Sequence, residues 1–275
     1  MADPNQLPHL IKLLDDDSRV VHDAVIKELH AFGPDLQKQL QKQRIELDPF
    51  ATGVIERILD EDNRKWILET WPAWQTIPDD KHKLEIALNI LAQFQYRRTH
   101  TVSLTRLLDL ITKQFNIYFP NGDEMDLCHF LFQTYKIRGA TKDYYNPFNS
   151  NLIYVINEQR GLPISLACVF ILIGYRLGFD IQGCNFPGHF LAIVGLENEK
   201  ILVDCFNSGR VLKAGDLQNP DPEHPVGFED ILKLECDAVS IINRILRNLI
   251  HAYQEYGQEH HAQLMGQLLE MISNE

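Results

Sequence analysis

The sequence predicts an α+β protein, with helices toward both ends of the chain and an antiparallel sheet between them. Three observations carry this. Apolar residues recur at helical spacing through residues 1–115. One strongly apolar segment, Pro163 to Leu177, opens on proline and is followed by Gly178, the punctuation of a helix. Three strand-like runs then follow in close succession.

Taken in order, Leu7, Leu10, Ile11 and Leu14 form the first helical stripe, broken by Asp15-Asp16-Asp17-Ser18. Val21, Val25, Leu29 and Phe32 form the next, stopped by Gly33-Pro34. The two resemble a single HEAT-like helix pair. Leu84 to Tyr96 and Ser103 to Phe115 read as two further amphipathic helices. Trp66, Trp71 and Trp74 lie between the helices, and Trp71-Pro72 marks a turn. Asp123 to Tyr135 is a helix with Leu127, Phe130 and Leu131 on one side. Tyr144 to Asn149 is a loop, and Ser150 is placed to cap a short helix ending near Arg160. The apolar helix comes next, then strands at Ile181–Phe186, His189–Gly195 and Lys200–Phe206. Glu197-Asn198-Glu199 is read as the turn between the last two, and Arg210–Leu212 as a short edge. Asn219 to Pro225, with three prolines among acids, reads as a linker. Beyond it, Ile242, Ile245, Leu246, Leu249, Ile250 and Tyr253 make a stripe that Gly257 ends, and Ala262 to Ile272 forms a last helix. The expected regions are a helical one at 1–83, a core at 84–218, and a linker with a helical hairpin at 219–275.

Composition narrows the function. The 275 residues are 45% hydrophobic and 23% charged, as in ordinary globular proteins. The formal charge of −12 disfavours nucleic acid and anionic membranes as general partners. The Met1 end is polar, without the pattern of a signal peptide. The apolar run Leu166 to Tyr175 is too short to span a bilayer and reads as a buried helix. Five cysteines without a C-x-x-C pair argue against a zinc knuckle or a disulfide framework, and suggest a cytoplasmic setting. The eleven histidines are scattered, so no metal site is placed. No cofactor is expected.

Five segments carry a family resemblance. They are Tyr144-Tyr145-Asn146-Pro147-Phe148-Asn149-Ser150, Arg160-Gly161-Leu162-Pro163-Ile164-Ser165-Leu166, Arg176-Leu177-Gly178, Phe186-Pro187-Gly188-His189-Phe190 and Val203-Asp204-Cys205-Phe206-Asn207-Ser208-Gly209. From about Leu84 to Ile272 the chain resembles the bacterial SirB-type transglutaminase-like family, proteins of hypothetical or regulatory role with a tetratricopeptide-like tail. The resemblance implies a papain/transglutaminase-like core, a central helix packed on an antiparallel sheet, with helical additions on both sides. Active members of the wider superfamily carry Gly-x-Cys at the helix start, a small residue four positions after the cysteine, and Leu-Gly at the helix end. On this chain Gly161, Ala167 and Leu177-Gly178 take those places, and Pro163 stands where the cysteine would be. His189 takes the histidine position and Asp204 the aspartate position.

A thiol at a helix N-terminus is activated by the free N–H groups and by a neighbouring histidine, which a carboxylate orients. Proline at the same position suits the first helical turn but supplies no nucleophile. Ser165 lies about 200° and Cys168 about 140° around the helix from Pro163. Cys168 reads as a buried structural thiol, and Cys205 points to the face opposite Asp204. Cys184 could reach the site only if the strand register allowed it. Asn149, Arg160, Ser165, Cys184 and Gly188 are the candidate lining of a pocket around His189 and Asp204. Three functions stay open: a non-catalytic, regulatory pseudoenzyme that binds a protein or peptide; a hydrolase or acyl-transferase using water or a displaced nucleophile; and a structural module with a vestigial site.

Overall fold

The computed structural model describes residues 2–99, 102–186, 188–196, 199–212 and 228–273. It divides into two compact units, Met1–Trp71 with Gln93–Thr101, and Pro72–Ala92 with Val102–Glu275.

The first unit is helical: α1 (Leu7–Lys12), α2 (Arg19–His30), α3 (Asp35–Lys42) and α4 (Pro49–Thr70). Its core is formed by the two stripes read from the sequence, Leu7, Leu10 and Leu14 with Val25, Leu29 and Phe32, joined by Ile55 and Ile58 of α4. Asp48 caps α4 by accepting from Ala51 N at 2.7 Å, and Pro49 fills the first helical position. Trp66 lies within α4, not between helices, while Trp71 and Trp74 form the tight turn that follows.

The second unit begins with α5 (Asp80–Gln95, through Ala92), α6 (Leu104–Tyr118) and α7 (Glu124–His129), which a π turn prolongs to Thr134. A two-residue strand β1 (Arg138–Gly139) leads to a loop and to α8 (Leu152–Glu158). The cap of α8 is Asn151, one residue beyond Ser150. Its carboxamide oxygen accepts from Ile153 N and Tyr154 N, the role the sequence assigned to its neighbour. β2 (Arg160–Gly161) pairs in parallel with β1, a short ladder too brief to leave a periodic signal.

The central helix α9 (Pro163–Leu177) starts on its proline and ends at Gly178, whose φ of +79° is the left-handed cap that favours glycine. Residues Ile164 to Gly174 are buried on every side, so the helix is the core rather than its covering. At its end Arg176 meets Glu85 of α5 and Asp109 of α6, each at 2.8 Å.

The sheet follows: β3 (Ile181–Cys184), β4 (Leu191–Gly195), β5 (Lys200–Asp204) and β6 (Arg210–Leu212). The strands are shorter than the sequence runs suggested, because Asn185, Phe186, Gly188 to Phe190 and Cys205–Phe206 lie outside the ladder. After α10 (Phe228–Ile231), β7 (Glu235–Cys236) adds to the free edge of β3. The order is β6-β5-β4-β3-β7, all antiparallel. One face, carrying Ile181, packs on α9. The other carries Cys184, Leu191, Ile193 and Leu202, closed by Ile231. Turn residues Glu197 and Asn198 and the stretch Asn219 to Pro225 lie outside the described residues.

The chain ends in the hairpin α11 (Ala238–Glu255) and α12 (Glu259–Ser273). The helix α11 packs on α9, β7 and the 3-10 turn Pro147–Ser150. Among the described residues no helix is long and apolar enough to cross a membrane.

Candidate functional site

His189 lies in the loop before β4, two residues ahead of Leu191, and not on the strand. Pro187 of its motif lies outside the described residues; Gly188 is exposed beside it. A tight turn holds the loop, with His189 N donating to Phe186 O at 3.1 Å. Arg244 of α11 then braces it from the side. Its Nη2 donates to His189 O at 3.1 Å, and its Nη1 to Phe186 O at 3.3 Å and to Asn185 Oδ1. The guanidinium sits 5.3 Å over the Phe190 ring. Burial pushes the pKa of Arg244 down, with neighbouring thiols and Tyr144 opposing it.

Asp204 ends β5. His189 Nε2 lies 3.0 Å from Asp204 Oδ1. An ionised carboxylate only accepts, so in the neutral ring Nε2 carries the proton and Nδ1 is the remaining acceptor. The same Oδ1 accepts from the backbone N–H groups of Phe206 and Asn207, both at 3.1 Å, and Oδ2 from Asn207 Nδ2 at 2.7 Å. Burial works to raise the Asp204 carboxyl. The bonds from His189 and Asn207, with the charge of His189, outweigh it and hold the carboxyl below its ordinary value. The Asp204 side chain is 8% exposed and that of His189 27%, so the aspartate is sealed while the imidazole reaches solvent. Phe206 stands edge-on to the imidazole at 6.2 Å, and Tyr144 edge-on to Phe206 at 6.3 Å.

Pro163 is the first residue of α9, half-buried, with Leu162 before it making no side-chain cap. Below it the packing is closed. Ser165 is fully buried and its Oγ donates to Asn149 O at 2.6 Å, while Leu162 N donates to the same carbonyl at 3.2 Å. Asn149 Nδ2 in turn donates to the carbonyls of Asp143 and Tyr144, at 2.8 and 3.0 Å. Ser165 and Asn149 therefore tie the 143–150 loop to the helix start, and both are fully engaged in doing so. Arg160 donates from Nη2 to Tyr154 Oη at 2.6 Å, and its Nε is buried with no hydrogen-bond partner.

Among the described residues no hydrogen bond joins a thiol to His189 or Asp204. Cys184 is buried on the sheet face opposite α9, where its Sγ donates to Ile231 O at 3.6 Å. Burial pushes its pKa up to about 11. Burial likewise raises Cys128 and Cys236, each to about 12, and raises Cys168 and Cys205 strongly. A nucleophilic thiol needs the opposite shift.

The structure thus joins His189 to Asp204 and Asn149 to Ser165, while the Cys184 thiol is engaged by Ile231 O. Sequence reasoning missed Arg244. Its signal was a cation between Ile242 and Ile245 of the helical stripe, which reads as exposed in a helix taken alone. Among the described residues no group of three or more His, Cys, Asp or Glu side chains could hold a metal ion.

Comparison with known proteins adds the family context. The family model of the transglutaminase-like superfamily matches residues 103–247, just over half of the chain, from the start of α6 to beyond Arg244. A UPF0162 protein of Xylella fastidiosa (strain Temecula1) is 33% identical over 76% of this chain and 79% of its own length. The corresponding UPF0162 protein of strain 9a5c is 28% identical over the same shares. F-box only protein 21 of Homo sapiens is 26% identical over 51% of this chain and 23% of its own length. No solved structure matches the chain.

Proposed function

Because this chain belongs to the transglutaminase-like superfamily yet has proline at the helix start where the nucleophile would stand, we propose that it works by binding, not by covalent catalysis. It is read as a SirB-type regulatory protein of the cytoplasm, a pseudoenzyme holding a protein or peptide segment at the surface around His189 and Asp204. The observation that carries this reading is Pro163 at the first position of α9, with four of the five thiols buried, Cys236 half-buried, and all five raised in pKa by burial. Acyl transfer through a cysteine needs a thiolate within reach of the imidazole. What remains is a sealed aspartate, a half-exposed imidazole and exposed Tyr144 and Tyr145 nearby, groups that suit recognition. No cofactor enters the reading.

A second reading has one observation in its favour. The His189–Asp204 bond is that of a general base, which can activate water without a covalent step. The deciding experiment places a photo-cross-linking side chain at Tyr145, 45% exposed, and runs an amide and ester hydrolysis screen beside it. Specific capture of one partner, reduced in His189→Ala, is the expected result. Turnover abolished by His189→Ala would establish the hydrolase instead, and absence of any specific capture would remove the binding reading.

A further inference from the structure

A second feature of the core lies beyond the imidazole. A cavity of about 580 Å³ opens beside the β1–β2 ladder, within the size range of small-molecule sites. Three cations, Arg138, Lys142 and Arg160, line it together with Phe206, Asn207 and Ser208. No carboxylate is among the lining residues, in a chain whose formal charge is −12.

The local fold forces two of these cations together. Gln159 ends α8 with a φ of +55°, and this left-handed turn sends Arg160 directly into β2. There the parallel register pairs Arg160 with Arg138. Like charges opposite one another across a ladder destabilise it. Neither arginine offsets this with an ion pair among the described residues. Arg138 and Lys142 are exposed at the cavity mouth, and Arg160 is committed only to Tyr154, through a hydrogen bond and a cation–π contact at 5.6 Å. The buried Arg160 Nε has no acceptor. The nearest acids act on Arg160 only through space. They are Glu158, the last residue of α8, and Asp143, whose carboxylate already accepts from Asn146 at 2.8 Å and from Tyr256 Oη.

An arginine pair with an unfilled N–H suits one kind of guest, an oxygen anion that accepts from both guanidiniums at once. Such a guest would replace the Arg138–Arg160 repulsion with attraction, and Lys142 would add a third positive charge at the mouth. We propose that this cavity is a binding site for a small multivalent oxyanion, a phosphate or polycarboxylate compound. The cavity adjoins the imidazole surface through Phe206, edge-on to His189, and Asn207, which donates to Asp204. The inference rests on the three cations and not on the imidazole, so it stands whether or not His189 binds a partner.

The test uses the full chain, with pyrophosphate and citrate as probes and sodium chloride adjusted to constant ionic strength. Calorimetry should show saturable binding at one site by at least one probe, with Kd on the order of a millimolar or tighter. Tighter binding of pyrophosphate assigns the site to phosphate compounds, and tighter binding of citrate to carboxylates. Arg138→Gln and Lys142→Gln alter exposed side chains, and each should weaken binding on the order of tenfold. A merely structural arginine would lower the melting temperature on removal. Arg138→Gln should instead raise that of the anion-free protein by about 1–2 °C, by relieving the repulsion with Arg160. The proposal is overturned if neither probe binds saturably, or if both variants bind as tightly as the unaltered protein.

Discussion

The two halves of the candidate site are built differently. At the start of α9, Pro163 sits over a closed polar knot in which Ser165, Leu162 and Asn149 satisfy one another. Across from it in the sequence motif, His189 and Asp204 form a hydrogen-bonded pair with one member exposed, braced by a side chain from another part of the fold. The first half is scaffold, with no group left to act. The second is more elaborate than a scaffold contact needs, since Asp204 alone accepts four hydrogen bonds. The polar half is thus held by its own contacts, independently of a nucleophile.

The largest break in this comparison should come from Asp204→Ala. It removes the acceptor of three donors, on half-buried Phe206 and exposed Asn207, and of the imidazole, and should cost about 2–3 kcal/mol in urea unfolding. Arg244→Ala should cost about 2–3 kcal/mol and speed hydrogen exchange of the 185–190 amides, while the α9 amides keep their protection. Acid sharpens the contrast. The Asp204 carboxyl is held below its ordinary value, so its contribution is complete above about pH 4 and is lost as pH falls through the lower folded value. Unfolding free energies of the unaltered protein and of Asp204→Asn should therefore converge in strong acid and stay apart at neutral pH. Ser165→Ala should cost about 1–2 kcal/mol and leave the exchange of the His189 loop unchanged. A change in that loop would mean that the two halves are coupled.

The smallest effect on stability belongs to Pro163→Cys, within about 1 kcal/mol, yet it bears most directly on the comparison. If the frame of a cysteine enzyme is complete, the introduced thiol should be alkylated with a midpoint clearly below the ordinary thiol value of about 8.5. The five native thiols, all raised by burial, should stay slow in the folded protein. An ordinary midpoint would show that His189 does not serve this helix start.

Where single residues punctuate the chain, the sequence was legible to the residue. Pro163 and Gly178 bound α9 because one lacks an N–H that the first turn does not use and the other accepts a left-handed φ. Alternation failed where the chain leaves its ladder, so His189 read as part of a strand when Gly188 and its neighbours carry it into a loop. The helix cap fell one residue early because Ser150 and Asn151 are both good caps, and only the fold selects between them. The β1–β2 ladder and β7 are two residues long, beneath any periodic signal. The pairing of His189 with Asp204 was legible as order along the chain. Arg244 was not, since its role depends on where a distant helix comes to rest.

That distance has a bearing on how the protein is made. The brace on His189 arrives 55 residues after it. At ordinary rates of translation this is a gap of roughly three to eleven seconds. During that interval the strands flanking His189 can already be on hand while the loop between them has no brace. The imidazole is set only when the closing hairpin emerges, which makes the last helices of the chain the step that completes the site.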